Sequence, residues 1–342
     1  MCDWVDYVRD IDDASGGKRL WTEGFHFGDW LALDGSDPAS RKGGTPEDFI
    51  ASAFYCYSAR LVARAAAVLG RMDQADAYGR LAAEVKAAIQ KEYFTPNGRL
   101  AIPTQTGYVL ALFMDLVPED HLKRVRNDLI ARLNLDHIHL RTGFVGTPYL
   151  CRVLSQNGAN DLAYQLLLNE DYPSWLYAVN LGATTIWERW NSLNADGSIS
   201  STGMNSLNHY AYGSIVEWMY RDMCGLNPAA DDDGVTGFRH AQIAPKPNQA
   251  LQWARARYHS AAGLYESGWR IDDAGQLTLE ITIPFNASAR VVLPDARMGA
   301  ITINGHPLRD GQQIGDQVEL TLSAGCHQIA YPFQQKEPRP GQ

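Results

Sequence analysis

The sequence predicts a multidomain α and β protein, a barrel of paired helices followed by an antiparallel β-sandwich. Three observations carry this. About eight stretches of the first two-thirds repeat apolar residues at helical spacing. Short connections join most of them, which makes sequential neighbours antiparallel. Beyond Pro228 the pattern switches to short alternating strands separated by turns. The expected boundaries are 1–230 for the helical domain and 236–334 for the β-domain.

Trp4, Tyr7 and Val8 fall at helical spacing, with nothing before them that could cap a helix. Residues 17–44 read as a long loop centred on GFHFGDWLALDG, with Trp21, Phe25, His26, Phe27 and Trp30 among its rings. Thr45-Pro46-Glu47-Asp48 then predicts an N-cap, a first-turn proline and two acids at the positive end of a helix dipole. Ile50, Ala53, Phe54, Tyr57, Leu61, Val62, Ala65 and Leu69 continue that helix to Gly70. Asp73 is expected to cap the next, which carries Ala77, Leu81, Val85 and Ile89 to a break at Thr95–Gly98. Further helices are predicted over 104–116, 118–133, 146–157, 161–169 and 207–223. Two longer glycine-bearing connections, 135–147 and 172–184, hold Tyr149, Trp175 and Tyr177 nearby and join the candidate lining of a site.

Asp231–Gly234 reads as a solvated acidic linker. Eight strands follow, over 240–243, 253–259, 264–271, 277–283, 289–292, 300–303, 317–322 and 327–331. Hairpin turns are expected at Asp273-Ala274-Gly275, Asn304-Gly305 and Ala324-Gly325. The tail after Gln334 is polar and proline-rich.

A net charge of −9 argues against nucleic acid or an anionic membrane as partner. Five scattered cysteines form neither a disulfide framework nor a zinc motif, so reduced thiols and a cytoplasmic setting are expected. No apolar run is long enough to span a bilayer, and the first residues do not read as a signal peptide. No nucleophile-elbow, P-loop, zincin or dinucleotide motif occurs, and neither a metal nor a cofactor is expected.

The remaining chemistry is carboxylates among aromatic rings. Residues 182–212 set Trp187, Glu188 and Trp190 against Asn205, Asn208, His209, Tyr210 and Tyr212 across a Gly/Ser/Asn-rich loop. A sugar suits such a set: its C–H face stacks on a ring while hydroxyls take hydrogen bonds. Glu188 is the best-placed carboxylate, and His209 could hold a hydroxyl or orient water. A buried helix start, with Glu188 paired to Arg189 or a backbone amide, explains the same residues. Asp29 is the second acid, coupled with Trp30 as a ligand-facing pair; an aromatic plug closing one end of the barrel explains that pair equally. Glycoside hydrolysis ordinarily needs two such groups.

GFHFGDWLALDG, TGFVGTPYL, YPSWLY, GATTIWERW and GMNSLNHYAYG, in this order and spacing, resemble the C-terminal part of bacterial α-L-rhamnosidases of glycoside hydrolase family 78. The resemblance implies an (α/α)6 barrel with a C-terminal β-sandwich, and metal-independent hydrolysis of terminal α-L-rhamnose with inversion. It places the general base at Glu188, a sugar-lining histidine at His209 and a sugar-contacting ring at Trp30. Asp29, Trp187, Trp190 and Asn205 complete the expected pocket, with rhamnose-containing glycosides as ligands.

The family's general acid lies in a motif resembling D-C-P-Q-R-x-E-R-x-G-W-x-G-D, which this sequence lacks. The barrel is therefore expected to be incomplete, missing N-terminal helices, and the chain alone weakly active or inactive. Two rivals follow: a non-catalytic carbohydrate-binding protein that kept the pocket, and an assembly subunit docking through exposed barrel helices. A homodimer or a separate N-terminal portion would be the partner in the latter.

Overall fold

The computed structural model describes residues 1–37, 40–200, 203–229 and 237–333. The expected acidic linker at 231–234 and the tail after 334 lie outside them. The chain divides into two compact units, one built from 1–157 and 165–213, the other from 158–164 and 214–333.

The first unit begins with α1 (Cys2–Ala14), which buries Val5 and Val8 and leaves Trp4 and Tyr7 exposed. Helices α2 (Glu47–Val68) and α3 (Met72–Tyr93) form an antiparallel pair, turned at Gly70, whose φ of +70° suits a residue without a Cβ. Val85 and Ile89 of α3 are fully enclosed, each worth about 1.5–3 kcal/mol of apolar burial. The two predicted caps are not made. Thr45 Oγ1 hydrogen-bonds Thr104 Oγ1 at 2.6 Å, leaving Pro46 at the N-cap of α2, and Asp73 lies inside the first turn of α3.

Helix α4 (Gln105–Phe113) starts as predicted, with Thr104 Oγ1 accepting the Gly107 N–H at 3.0 Å. Its residues 105–111 are buried without interruption, as a helix enclosed on all sides requires. Helices α5 (Leu122–Leu135), α6 (Thr147–Gln156) and α7 (Asn160–Leu168) follow at the expected positions. One helix was not anticipated: α8 (Trp175–Asn180), capped by Ser174 Oγ accepting from the Tyr177 N–H at 3.0 Å. Its six residues are too few to show a helical period.

The last helical run starts at Ala211, at the end of the first unit, and not at Leu207: a 3-10 turn, α9 (Ile215–Trp218), then a π-turn to Met223. Residues 206–209 pair instead with 185–188. Nine strands follow among the described residues: β1 (Leu226–Pro228), β2 (His240–Ile243), β3 (Trp253–Ser260), β4 (Gly263–Ile271), β5 (Gln276–Leu293), β6 (Thr302–Ile303), β7 (His306–Pro307), β8 (Gln312–Ile314) and β9 (Gln317–Pro332).

Their hydrogen bonds form one continuous sheet, ordered β1-β2-β5-β9-β6-β7, with β4 also on β5, β3 on β4 and β8 on β9. All pairs are antiparallel except β2–β5, which run parallel. The sequence pattern split β5 and β9 into two strands each. The structure joins the halves through a register shift between Ile283 and Ser288. Ala324-Gly325 is consequently no hairpin turn but an irregularity inside β9, with Gly325 at φ +140°. The turns at 273–275 and 304–305 are where they were expected.

Candidate functional site

The site is built in the first unit from three segments far apart in sequence. The first is the Gly24–Gly35 loop. Asp29 is 1% exposed, and all its acceptor capacity is turned inward. Oδ1 takes the Val145 N–H at 2.8 Å and the Gly146 N–H at 3.2 Å. Oδ2 takes the Gly143 N–H at 2.9 Å and a short hydrogen bond from the Thr106 hydroxyl. Burial pushes the Asp29 carboxyl above its ordinary range, against the pull of these four donors. The side chain expected to face a ligand is instead the clasp between the first loop and residues 143–146.

Trp30 is half-buried. Its carbonyl accepts the Phe144 N–H at 2.9 Å, and its ring meets Phe27 edge-on at 5.7 Å. Gly143 allows this approach: a Cβ there would lie 2.2 Å from the Trp30 carbonyl oxygen. The preceding turn is steadied by Gln105, whose Nε2 donates to Asp136 at 2.8 Å and to the His139 carbonyl at 2.9 Å.

The second segment supplies Phe144, which the sequence reading passed over. Its ring stacks on His209 at 5.0 Å and meets Tyr212 edge-on at 5.4 Å. It thereby joins the loop holding Trp30 to the loop holding His209. Its only signal in the sequence was a lone aromatic between two glycines, TGFVG.

The third segment is a bracket of two facing stretches, 185–188 and 206–209. The Glu188 N–H donates to the Ser206 carbonyl at 2.9 Å, the His209 N–H to the Ile186 carbonyl at 2.8 Å, and the Thr185 hydroxyl to the Leu207 carbonyl. Glu188 is 8% exposed and accepts the Ser206 N–H on Oε2 at 2.8 Å. Oε1 takes no hydrogen bond from the described residues. Arg189, the alternative partner, turns away and donates from Nε to the Met204 carbonyl at 2.8 Å. His209 Nδ1 accepts the Ala211 N–H at 3.2 Å, so the neutral ring carries its proton on Nε2.

Trp187 and Trp190 are each 5% exposed. Trp190 stacks on Tyr212 at 3.9 Å and meets Trp175 edge-on at 5.2 Å. Trp187, Trp190, Trp175, Tyr212 and Arg189 line a cavity of about 270 Å³ with α8 as its other wall. The Trp190 Nε1 and Tyr212 hydroxyl are buried without a partner among the described residues. Burial, and then the nearby Asp29 carboxylate, hold the Tyr212 phenol well above its ordinary range.

The structure therefore separates the expected residues. Trp187 and Trp190 line the cavity; Glu188, His209, Trp30, Asn205 and Asp29 do not. Asn205 braces its own loop, donating from Nδ2 to the Ser192 and Ser200 carbonyls at 3.0 and 3.2 Å. Among the described residues, no group of three His, Cys, Asp or Glu is placed to hold a metal ion.

Comparison with known proteins agrees with this architecture. Residues 1–223 match the bacterial α-L-rhamnosidase 6 hairpin glycosidase domain, and residues 225–306 the bacterial α-L-rhamnosidase C-terminal domain. An α-L-rhamnosidase of Formosa agariphila is 38% identical over 84% of the chain, and one of Streptomyces avermitilis likewise 38% over 84%. The chain spans only 30% and 26% of those two relatives. A crystal structure of the Streptomyces avermitilis α-L-rhamnosidase complexed with L-rhamnose is 34% identical, with a TM-score of 0.83 over 96% of this chain and 30% of that one. The native Aspergillus terreus enzyme is 30% identical, with a TM-score of 0.79 over 90% of this chain and 33% of that one. With the helical domain and the C-terminal domain matched in this order, the chain belongs to the bacterial α-L-rhamnosidase family of six-hairpin glycosidases.

Proposed function

We propose that this chain carries the water-activating side of an α-L-rhamnosidase active site, acting on terminal α-L-rhamnose with inversion. The observation that carries the reading is Glu188: one carboxylate oxygen is anchored by a backbone N–H, and the other has no donor among the described residues. A carboxylate fixed in this way can take a proton from water as that water attacks the anomeric carbon. His209 would offer its Nε2–H to a sugar hydroxyl and Trp30 a ring face to the pyranose, while Trp187 and Trp190, enclosed in the wall of the separate cavity, would hold the Glu188 loop in place. Asn205 shapes the loop beneath them, and Asp29 acts as a positioning residue through the Trp30 and Phe144 backbone.

Asp29 is the other carboxylate whose charge reaches Tyr212. At 1% exposure, with both oxygens occupied, it cannot protonate a leaving group. The described residues thus supply a base without an evident acid, and the chain alone should turn over slowly or not at all. General acid–base assistance is typically worth ~10²–10⁴-fold per group.

The test is release of nitrophenol from an aryl α-L-rhamnoside, with Glu188→Gln beside the parent, and rhamnose-induced thermal shift on both. Sugar binding with negligible turnover supports the reading. Turnover that survives Glu188→Gln overturns the assignment of the base.

A second reading, a carbohydrate-binding protein, is favoured by the unpartnered Trp190 and Tyr212 polar atoms beside the cavity. It predicts equal rhamnose affinity in parent and Glu188→Gln. The division into domains at 1–230 and 236–334 belongs to this proposal, and limited proteolysis tests it. A reducing, cytoplasmic location is supported by five free thiols, and no helix among the described residues is long and apolar enough to cross a membrane. Association through α1, as a homodimer or with a separate N-terminal portion, is supported by its exposed Trp4 and Tyr7.

A further inference from the structure

The second unit carries a feature that rhamnose hydrolysis does not use. Register across β3, β4, β5 and β9 places directly opposed side chains in three rungs on one face. They are Trp253–Arg270–Thr278–Ala330, Arg255–Gly268–Glu280–Gln328 and Arg257–Glu266–Thr282–Cys326. The alternate residues Ala254, Trp269, Leu279 and Ile329 are buried on the other face. This face therefore looks to solvent, yet it displays an indole and three arginines.

The first two rungs line a trough of about 430 Å³, within the ~300–1,000 Å³ range of small-molecule sites. Gly268 forms its floor: a Cβ there would meet Arg255 Cγ at 3.1 Å. Two groups beside the trough are unengaged. Trp253 is 58% exposed and has no ring or hydrogen-bond partner among the described residues. Arg270, directly across from it, forms no ion pair among the described residues. Arg255 and Arg257, by contrast, share Glu266, the former at 3.0 Å.

We propose that this trough binds an oligosaccharide bearing carboxylates, a chain containing uronic acid residues. One pyranose ring stacks on Trp253 by its C–H face. Its carboxylate meets the Arg270 guanidinium in a two-pronged hydrogen bond that a neutral sugar cannot make. Thr278, Glu280 and Gln328 take hydroxyls along the trough. Protein interface cores are depleted of charge, whereas the second rung presents charged and amide groups on either side of a bare glycine, which suits hydroxylated rings. The inference does not depend on Glu188 or its bracket.

Calorimetric titration of the whole chain with a galacturonate tetramer, and with its carboxyl-reduced neutral counterpart, tests it. Binding of the uronide should fall about tenfold or more in Trp253→Ala, the loss of one stacking platform. Arg270→Gln should bring uronide affinity down to that of the neutral tetramer and remove the salt dependence. Glu188→Gln should bind as the parent does, which separates this site from the rhamnose pocket. Failure of the parent to bind either tetramer, or binding indifferent to both trough substitutions, overturns the proposal. So does concentration-dependent dimerisation abolished by Trp253→Ala without any sugar binding.

Discussion

Replacing Asp29 tests how the candidate site is held together. Asp29 satisfies four donors in an enclosed position: the hydroxyl of Thr106 and the N–H groups of Gly143, Val145 and Gly146. Asn at this position keeps one acceptor oxygen; with its NH2 turned toward Thr106, whose hydroxyl can accept, it still leaves the Gly143 N–H without its partner. A buried donor without a partner costs about 1–3 kcal/mol, which puts Asp29→Asn at ~1–3 kcal/mol. Asp29→Ala abandons all four donors and should cost more than Asp29→Asn. Six of the nine tryptophans lie in the first unit, so urea unfolding followed by tryptophan fluorescence reports on it. With a slope of ~2 kcal/mol/M, the midpoint should fall by ~0.5–1.5 M for Asp29→Asn. Thr106→Val should cost less, and the double variant should be non-additive, because the two groups are hydrogen-bonded. An unchanged midpoint with rhamnose binding lost would refute this reasoning. Asp29 would then be gripping sugar, as the sequence first suggests.

Gly143→Ala should abolish rhamnose binding and lower the melting temperature, because its Cβ would fall 2.2 Å from the Trp30 carbonyl oxygen and 2.6 Å from the Ala32 nitrogen. Tyr212→Phe should leave stability within ~0.5 kcal/mol of the parent or raise it, since the hydroxyl removed has no partner among the described residues. Tyr212→Ala, which empties the stack on Trp190, should cost ~3–5 kcal/mol. Burial pushes the Asp136 carboxyl up, but Arg132, Gln105 and Arg141 outweigh it and hold it below its ordinary range. A depressed carboxyl stabilises the fold above its unfolded value of ~3.9 and stops doing so as pH falls through the folded value below that. Unfolding followed below pH ~4 should therefore show a steep acid limb. Asp136→Asn should flatten that limb and lower stability at neutral pH.

The helical elements were legible where spacing and punctuation agree. Gly70 ends α2, Thr104 caps α4, and the apolar period carries α3 from end to end. Thr45 misled because its hydroxyl has a better use across the fold, at Thr104. The split of β5 and β9 followed from ending strands at 283 and 322 and reading Ala324-Gly325 as a turn, when these stretches form one irregularity in two paired strands. At the site, the motif order pointed to the Glu188 bracket, but composition near Asp29 could not say which way its carboxylate turns. That depends on N–H groups more than 110 residues away. Phe144 was illegible for the same reason: its importance lies in what it touches, His209 and Tyr212, and not in its neighbours along the chain.

The Asp29 clasp has a bearing on how the protein is made. Its contact with the Gly143 N–H closes a loop of 114 residues, at an entropic cost near 4 kcal/mol before any contact repays it. Helices α2 and α3 can pair as soon as both have left the ribosome. Phe144, whose N–H meets the Trp30 carbonyl, reaches His209 only once more than two hundred residues have been synthesised. On the proposed function, sugar recognition is thus a late acquisition of the nascent chain. Appearance of rhamnose protection during translation would time the moment at which the first unit closes.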